Sequence, residues 1–248
     1  MSPTSELPGG LHVRTPPAQR VPARSSTVAL SALVFAVLPI GYLHSAPAGI
    51  DPIRHPISDY VAAPGGSGLL ALSFAAMITA GVALIVGLRA LPDCRAVRAL
   101  LLSWCLALAV AAIFPSNQPG LPADAAALVH RYAAGWLFLS LPLAGWLLAR
   151  RCALTPMWQD SANVVHRLSM LTAGVSAAML SCYLVSPGEA SPVSFVGLLQ
   201  RGLLGLDLAL IAAGALAVRR ARPVQSHTTT GVPDDTTTDH ARRRHVPA

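Results

Sequence analysis

The chain has 248 residues, of which 53% are hydrophobic and 12% are charged, and its mean hydropathy is +0.55. A soluble globular domain carries roughly 25% charged residues, so this composition excludes such a domain and is typical of an integral membrane protein. A net charge of +7 can indicate nucleic-acid binding, but the arginines here gather at the ends of apolar runs and in the tails. Arginines so placed orient a membrane protein and contact anionic headgroups, so membrane lipids, and no nucleic acid, are the expected partners.

Six apolar runs follow one another along the chain, each within the roughly 17–25 residues that a membrane-spanning helix needs. They occupy about residues 28–44, 69–88, 99–115, 128–149, 168–186 and 202–218. Residues 1–27 are rich in Pro, Ser and Arg, and residues 221–248 contain a Thr-rich stretch, so both are predicted to be disordered tails. The predicted fold is all-α, a polytopic six-transmembrane-helix bundle over residues 28–220.

Arginines collect on one side of the predicted membrane. The loops of the other side, residues 45–67, 116–127 and 187–200, contain Arg54 as their only arginine. The arginine-rich side carries Arg14, Arg20, Arg24, Arg89, Arg95, Arg98, Arg150, Arg151, Arg167, Arg219, Arg220 and Arg222. Because arginine resists translocation, this pattern predicts a multi-pass plasma-membrane protein with both termini in the cytoplasm.

Polar side chains collect on the opposite, outer side. If Pro56 opens a short helical turn, His55 and Asp59 are four residues apart and share one face of it. On the sixth run, Asp207 lies about 9 Å deeper in the membrane than Arg201. The sequence therefore predicts an outward-facing polar pocket. Its candidate binding residues are His55, Ser58, Asp59, Ser116, Asn117, His130, Arg131 and Arg201, with Asp207 beneath them.

Three motifs of this outer side resemble domain-of-unknown-function family 998, a group of multi-span bacterial and archaeal membrane proteins. They are His55-Pro56-Ile57-Ser58-Asp59-Tyr60 before the second run, Phe114-Pro115-Ser116-Asn117 after the third, and His130 at the start of the fourth. Members often have Phe-Pro-x-Asp at the second motif, where this chain has Asn117. The resemblance covers about residues 28–220 and implies the multi-span architecture in a bacterial plasma membrane, without an activity.

Two functions without a cofactor are compatible with the polar cluster. In the first, the cluster is a structural network in which Asp207 bonds Arg131 or Arg201. In the second, the two arginines hold a phosphate or carboxylate of a lipid headgroup, because guanidinium groups match those anions. A transporter is less favoured, because only Asp207 lies well inside a run.

A third function is enzymatic. His55, Asp59 and His130 would bind zinc, and a zinc-bound water would hydrolyse a lipid at the outer leaflet. The sequence does not decide whether the protein is an enzyme. Small residues along the runs predict close packing of helices within one chain. A homo-oligomer is compatible with the same residues but is not indicated by them.

Overall fold

The computed structural model describes residues 21–45, 50–91, 93–116, 124–154, 158–185 and 195–220. These residues form six α helices, all long and apolar enough to cross a membrane, so the predicted all-α membrane bundle is confirmed. The helices are α1 (Val21–Ser45), α2 (Gly66–Gly87), α3 (Arg95–Ile113), α4 (Ala125–Cys152), α5 (Gln159–Val185) and α6 (Val196–Arg220). Most of both predicted tails lies outside the described residues.

The helices form a ring in chain order. Each helix packs against the next, α6 closes the ring against α1, and α6 also contacts α2 and α4. Trp104, Leu141 and Ile211 are at most 2% exposed in the core between the helices. Phe35 and Leu106, by contrast, are 64% and 60% exposed, as expected for side chains that contact lipid.

Glycines allow close approach between neighbouring helices. A Cβ at Gly81 would lie 2.6 Å from the Cys105 sulfur, so α2 and α3 come together there. A Cβ at Gly145 would collide with Ser169 of α5 and Leu210 of α6. Small residues at helix contacts are the usual means of tight packing in a bilayer, where lipid gives no hydrophobic drive for association.

The two ends of the bundle differ in their side chains. One end, here called the arginine end, carries the arginines at the end of α2, the start of α3 and the ends of α4 and α6: Arg89, Arg95, Arg98, Arg150, Arg151, Arg219 and Arg220. The opposite end, here called the histidine end, carries His44, His55 and His130. Residues 50–65 lie at the histidine end and are called the capping segment.

Every helix begins before its predicted span, and the difference is largest for α1, α5 and α6. Helix α1 begins at Val21, and α5 begins at Gln159 rather than at residue 168. The first turns of α5 are amphipathic, with Val165 buried beside exposed Arg167, so a search for purely apolar runs misses them. Helix α6 begins at Val196 rather than at residue 202, which places Arg201 inside the helix.

Candidate functional site

Arg201, in the second turn of α6, joins three elements at the histidine end. Its Nε donates to Nε2 of His44, at the end of α1, over 2.7 Å. Its Nη1 donates to the carbonyl oxygens of His55 (2.7 Å) and Gly197 (3.0 Å). Its Nη2 donates to the Tyr60 hydroxyl over 3.3 Å. One guanidinium thus ties α1, α6 and the capping segment together.

The hydrogen bonds of His44 define its tautomer. Because Nε2 accepts from Arg201, Nδ1 carries the proton and donates to the Ile40 carbonyl oxygen over 2.7 Å. The imidazole is therefore neutral in this arrangement. Its ring centroid lies 5.1 Å from that of Tyr60, which is 2% exposed, and the Arg201 guanidinium carbon lies 5.7 Å from the Tyr60 centroid.

Arg201 carries a positive charge that no described carboxylate pairs with. Among the described residues, no carboxylate lies within salt-bridge distance of its guanidinium, whose protein acceptors are all neutral. The amino terminus of α6, four to five residues away along the helix, adds a partial positive charge from the aligned peptide dipoles. The arginine is half-buried, so part of it stays accessible.

A tight turn positions His55. The His55 N–H donates to the Asp51 carbonyl oxygen over 2.8 Å, and the Asp51 N–H donates to His55 Nδ1 over 3.0 Å. His55 Nδ1 accepts a hydrogen bond from the Asp51 N–H of its own turn, so this nitrogen already has a partner. His55 contacts Arg201 through its backbone oxygen. Arg201 and its four partners, the His44 ring, the Tyr60 hydroxyl and the carbonyl groups of His55 and Gly197, are here called the Arg201 cluster.

Gly197 lets the same turn pack against the start of α6. A Cβ at this position would lie 2.7 Å from the Pro52 carbonyl oxygen and 2.9 Å from that of Ile53, and still closer to that of His55. The Ile53 oxygen accepts the Leu198 N–H over 3.0 Å. The capping segment thus satisfies one of the backbone donors that a helix start leaves open.

A short helix follows Pro56, as predicted, but it is a 3₁₀ helix over Ile57–Ala62. His55 precedes the first residue of this helix, so the helical spacing that was predicted for His55 and Asp59 does not apply to this pair. The Ile57 N–H donates to the side-chain oxygen of Gln200, which fixes the start of this helix on α6.

Two of the other candidate residues in the first two outer connections are joined to each other. The Ser116 hydroxyl donates to the Ser58 carbonyl oxygen over 3.1 Å and joins the end of the third span to the 3₁₀ helix. Asp59 is half-buried in that helix. Asn117 lies outside the described residues.

His130 caps a different helix. Its Nδ1 lies 3.0 Å from the Ala111 carbonyl oxygen and 2.9 Å from that of Phe114, so one ring N–H is shared between two carbonyls at the end of α3. Arg131 beside it is exposed and has no polar partner within the described ranges. Neither residue contacts Arg201.

Asp207 lies deeper in α6 and is 0% exposed. Neither of its carboxyl oxygens has a hydrogen-bond partner in the described part of the chain, so the predicted bond to Arg131 or Arg201 is wrong. The reason is helical geometry: six residues separate Asp207 from Arg201, which turns the two side chains to different faces of α6.

No set of three His, Cys, Asp or Glu side chains among the described residues is arranged to hold a metal ion. His55, Asp59 and His130 are all described, and the structure does not bring them together as ligands. Sequence reasoning missed His44 and gave Tyr60 no role in the site. The feature of the sequence that could have identified both residues is their position, since each lies at or near the outer end of a predicted span.

Residues 29–217 match the family model described as "Protein of unknown function (DUF998)". The matched region contains most of all six helices and well over half of the 248-residue chain. The family predicted from the three motifs is thereby confirmed. No curated protein and no solved structure matches the chain.

Proposed function

We propose that the Arg201 cluster binds the anionic group of a membrane lipid, a headgroup phosphate or carboxylate. The chain belongs to the DUF998 family, whose description assigns no activity, so the proposal rests on the geometry of the cluster. The observation that carries it is the half-buried guanidinium, which neutral acceptors hold in place and no carboxylate neutralises among the described residues.

The donors of Arg201 leave room for such an anion. A guanidinium has five N–H groups. The bonds to His44, His55, Gly197 and Tyr60 use four, so one Nη2 N–H has no acceptor in the described part of the chain. A hydrogen bond between this donor and a phosphate oxygen is charge-assisted and therefore stronger than a neutral one. The helix start beside it favours the same sign of ligand charge.

The position of the cluster fits a headgroup. His44 ends α1 and Arg201 lies within the first two turns of α6, so both stand where a span leaves the hydrocarbon. By the positive-inside rule the arginine end faces the cytoplasm. The proposed site then faces the outer leaflet of the plasma membrane.

Native mass spectrometry of the detergent-purified protein tests the proposal by counting bound phosphatidylglycerol. We expect Arg201→Gln to bind at least about tenfold more weakly than wild type, because a hydrogen bond to a charged group contributes about 1.5–3 kcal/mol. Arg131→Gln is the matched control, since this exposed arginine at the same end has no polar partner in the part of the chain that the structure describes. If both variants retained phosphatidylglycerol equally, Arg201 would not be part of the binding site.

Inorganic phosphate separates a lipid site from a site for a free anion. The proposal predicts that millimolar phosphate does not displace phosphatidylglycerol from wild type, because the acyl chains add contacts with the exposed apolar helix surface. Displacement by inorganic phosphate alone would indicate that Arg201 binds a soluble anion, and it would contradict the proposal that the ligand is a lipid.

A further inference from the structure

The hydrogen bond between His44 and Arg201 depends on the protonation state of the imidazole. In the neutral ring, Nε2 accepts from the Arg201 Nε–H over 2.7 Å. A protonated imidazole carries an N–H on both nitrogens and accepts no hydrogen bond. Protonation therefore turns His44 Nε2 from an acceptor into a donor that faces another donor, and the bond to Arg201 is lost.

The other nitrogen of the His44 ring keeps its partner in both states. Nδ1 donates to the Ile40 carbonyl oxygen over 2.7 Å, and it remains a donor when the imidazole is charged. The His44 side chain is exposed, so protons reach it from solvent. Histidine is also the side chain whose charge ordinarily changes between about pH 5 and about pH 8. Protonation thus changes the chemistry of His44 on the side that faces Arg201.

A protonated His44 creates a place for an anion beside Arg201. An imidazolium and a guanidinium then stand next to each other and repel, unless a negative charge lies between them. The Arg201 Nε–H and the His44 Nε2–H are both released from their mutual contact. They join the Nη2 N–H of Arg201 that has no acceptor in the described part of the chain. Three donors on two cations match the oxygens of a phosphate group.

The described groups around His44 do not supply that negative charge, since no described carboxylate lies within salt-bridge distance of its ring. Helix α2, which packs against α1, has no titratable side chain, and on α6 the carboxyl of Asp207 is buried about 9 Å deeper than Arg201. On α1 itself the neighbouring titratable group is Tyr42. The titratable groups of the capping segment are Asp51, Arg54, His55, Asp59 and Tyr60. Asp51 pairs with Arg54 over 3.6 Å, and the Tyr60 hydroxyl accepts from Arg201.

We propose that His44 is a second anion-binding residue of the Arg201 cluster and that it takes up a proton when the anion binds. Protonated His44 and Arg201 then donate to the same phosphate group, whose charge offsets the repulsion between the two cations. Because the proton and the anion each favour the binding of the other, the affinity for the anion rises as the pH falls. This inference rests on the proposed lipid function and adds the condition under which the site binds most tightly.

Isothermal titration calorimetry of the detergent-purified protein with short-chain phosphatidylglycerol tests the inference at about pH 7.5 and about pH 5.5, on either side of the usual histidine titration. The phosphodiester of this lipid keeps its negative charge over that range, so a change in affinity arises from the protein. We expect wild type to bind at least about threefold more tightly at the lower pH, the effect of an exposed ion pair. His44→Gln should bind equally at both pH values, because the glutamine amide offers Arg201 an acceptor but takes up no proton.

His130→Gln is the matched control, since His130 caps α3 and does not contact Arg201. This variant should keep the pH dependence of wild type. A wild-type affinity that is unchanged or lower at the acidic pH would overturn the inference. A dependence that came from His55 would survive in His44→Gln, and that result would overturn it too.

Proton uptake by wild type decides the matter if His44→Gln does not fold. Calorimetry near neutral pH in two buffers with different ionisation enthalpies should show that phosphatidylglycerol binding takes up protons, and binding without uptake would contradict the role of His44. Arg201→Gln separates this inference from the proposed function. If Arg201→Gln binds as tightly as wild type at both pH values, the lipid site itself is wrong. If it binds more weakly while wild type shows no pH dependence, the lipid site stands and His44 does not bind the anion.

Discussion

Arg201 needs the shape of a guanidinium as well as its charge. Its three nitrogens reach His44 on α1, the capping segment and its own helix at once. A lysine ammonium is a single point that cannot span these acceptors. We expect Arg201→Lys to lower the free energy of unfolding in detergent by about 1–3 kcal/mol. Arg131→Lys should change the free energy of unfolding by no more than about 0.5 kcal/mol. Similar losses in both variants would contradict the role of the Arg201 guanidinium in joining α1, α6 and the capping segment.

The thiol of Cys94, at the arginine end, gives a second prediction at this scale. Burial raises the pKa of Cys94, and nearby Arg151 and Arg98 oppose the rise without cancelling it. The thiolate is the reactive form, so a raised pKa leaves less of it at any given pH. We expect slow alkylation of Cys94 at neutral pH, faster alkylation as pH rises, and rapid alkylation after denaturation. Mass spectrometry of the Cys94 peptide measures this, and rapid labelling of the native protein at neutral pH would refute it.

The individual site residues show what the sequence could and could not predict. Depth along the bundle follows from the distance to the ends of apolar runs, so the sequence could group His55, His130 and Arg201 at one end of the bundle. Position around the bundle depends on which helices touch, and a single sequence does not contain that. For this reason His130 was grouped with Arg201 although it caps α3.

At the scale of elements, the start of α6 depends on the absence of a side chain at Gly197. Gly197→Ala would push a Cβ against three backbone carbonyls of the capping segment, which have little freedom to move. Gly202→Ala on the same helix meets nothing within 4 Å. Alanine favours a helix over glycine by about 1 kcal/mol, so Gly202→Ala should be neutral or stabilising while Gly197→Ala is destabilising. Thermal unfolding of both variants measures the contrast, and a stabilising Gly197→Ala would contradict the close approach.

The helices themselves were predictable because apolar length alone identifies a span. Their ends were less so, since α5 begins with an amphipathic turn and α6 begins with Val196, ahead of the polar pair Gln200 and Arg201. A polar residue at the edge of an apolar run can stand before a helix or within its first turns. In α6 the hydrogen bond from the Leu198 N–H to the Ile53 carbonyl oxygen stabilises the first turn. This bond joins segments that are distant in the chain, so the local sequence does not reveal it.

At the scale of the whole molecule, the arginine distribution predicts the orientation. In a variant without native cysteines, Ser67→Cys introduces an exposed thiol at the histidine end, and Ala90→Cys introduces one at the arginine end. We expect a membrane-impermeant maleimide to label the first in intact cells and the second only after permeabilisation. The reverse pattern would place the Arg201 cluster on the cytoplasmic side.

The most direct test of the central claim, that Arg201 binds a lipid anion, is the thermal unfolding of the purified protein titrated with short-chain phosphatidylglycerol. A ligand that binds the folded state raises the unfolding midpoint as its concentration rises. The account predicts this rise for wild type and for Arg131→Gln and none for Arg201→Gln. An equal rise in Arg201→Gln would show that the anion binds elsewhere and that the cluster only holds the capping segment in place.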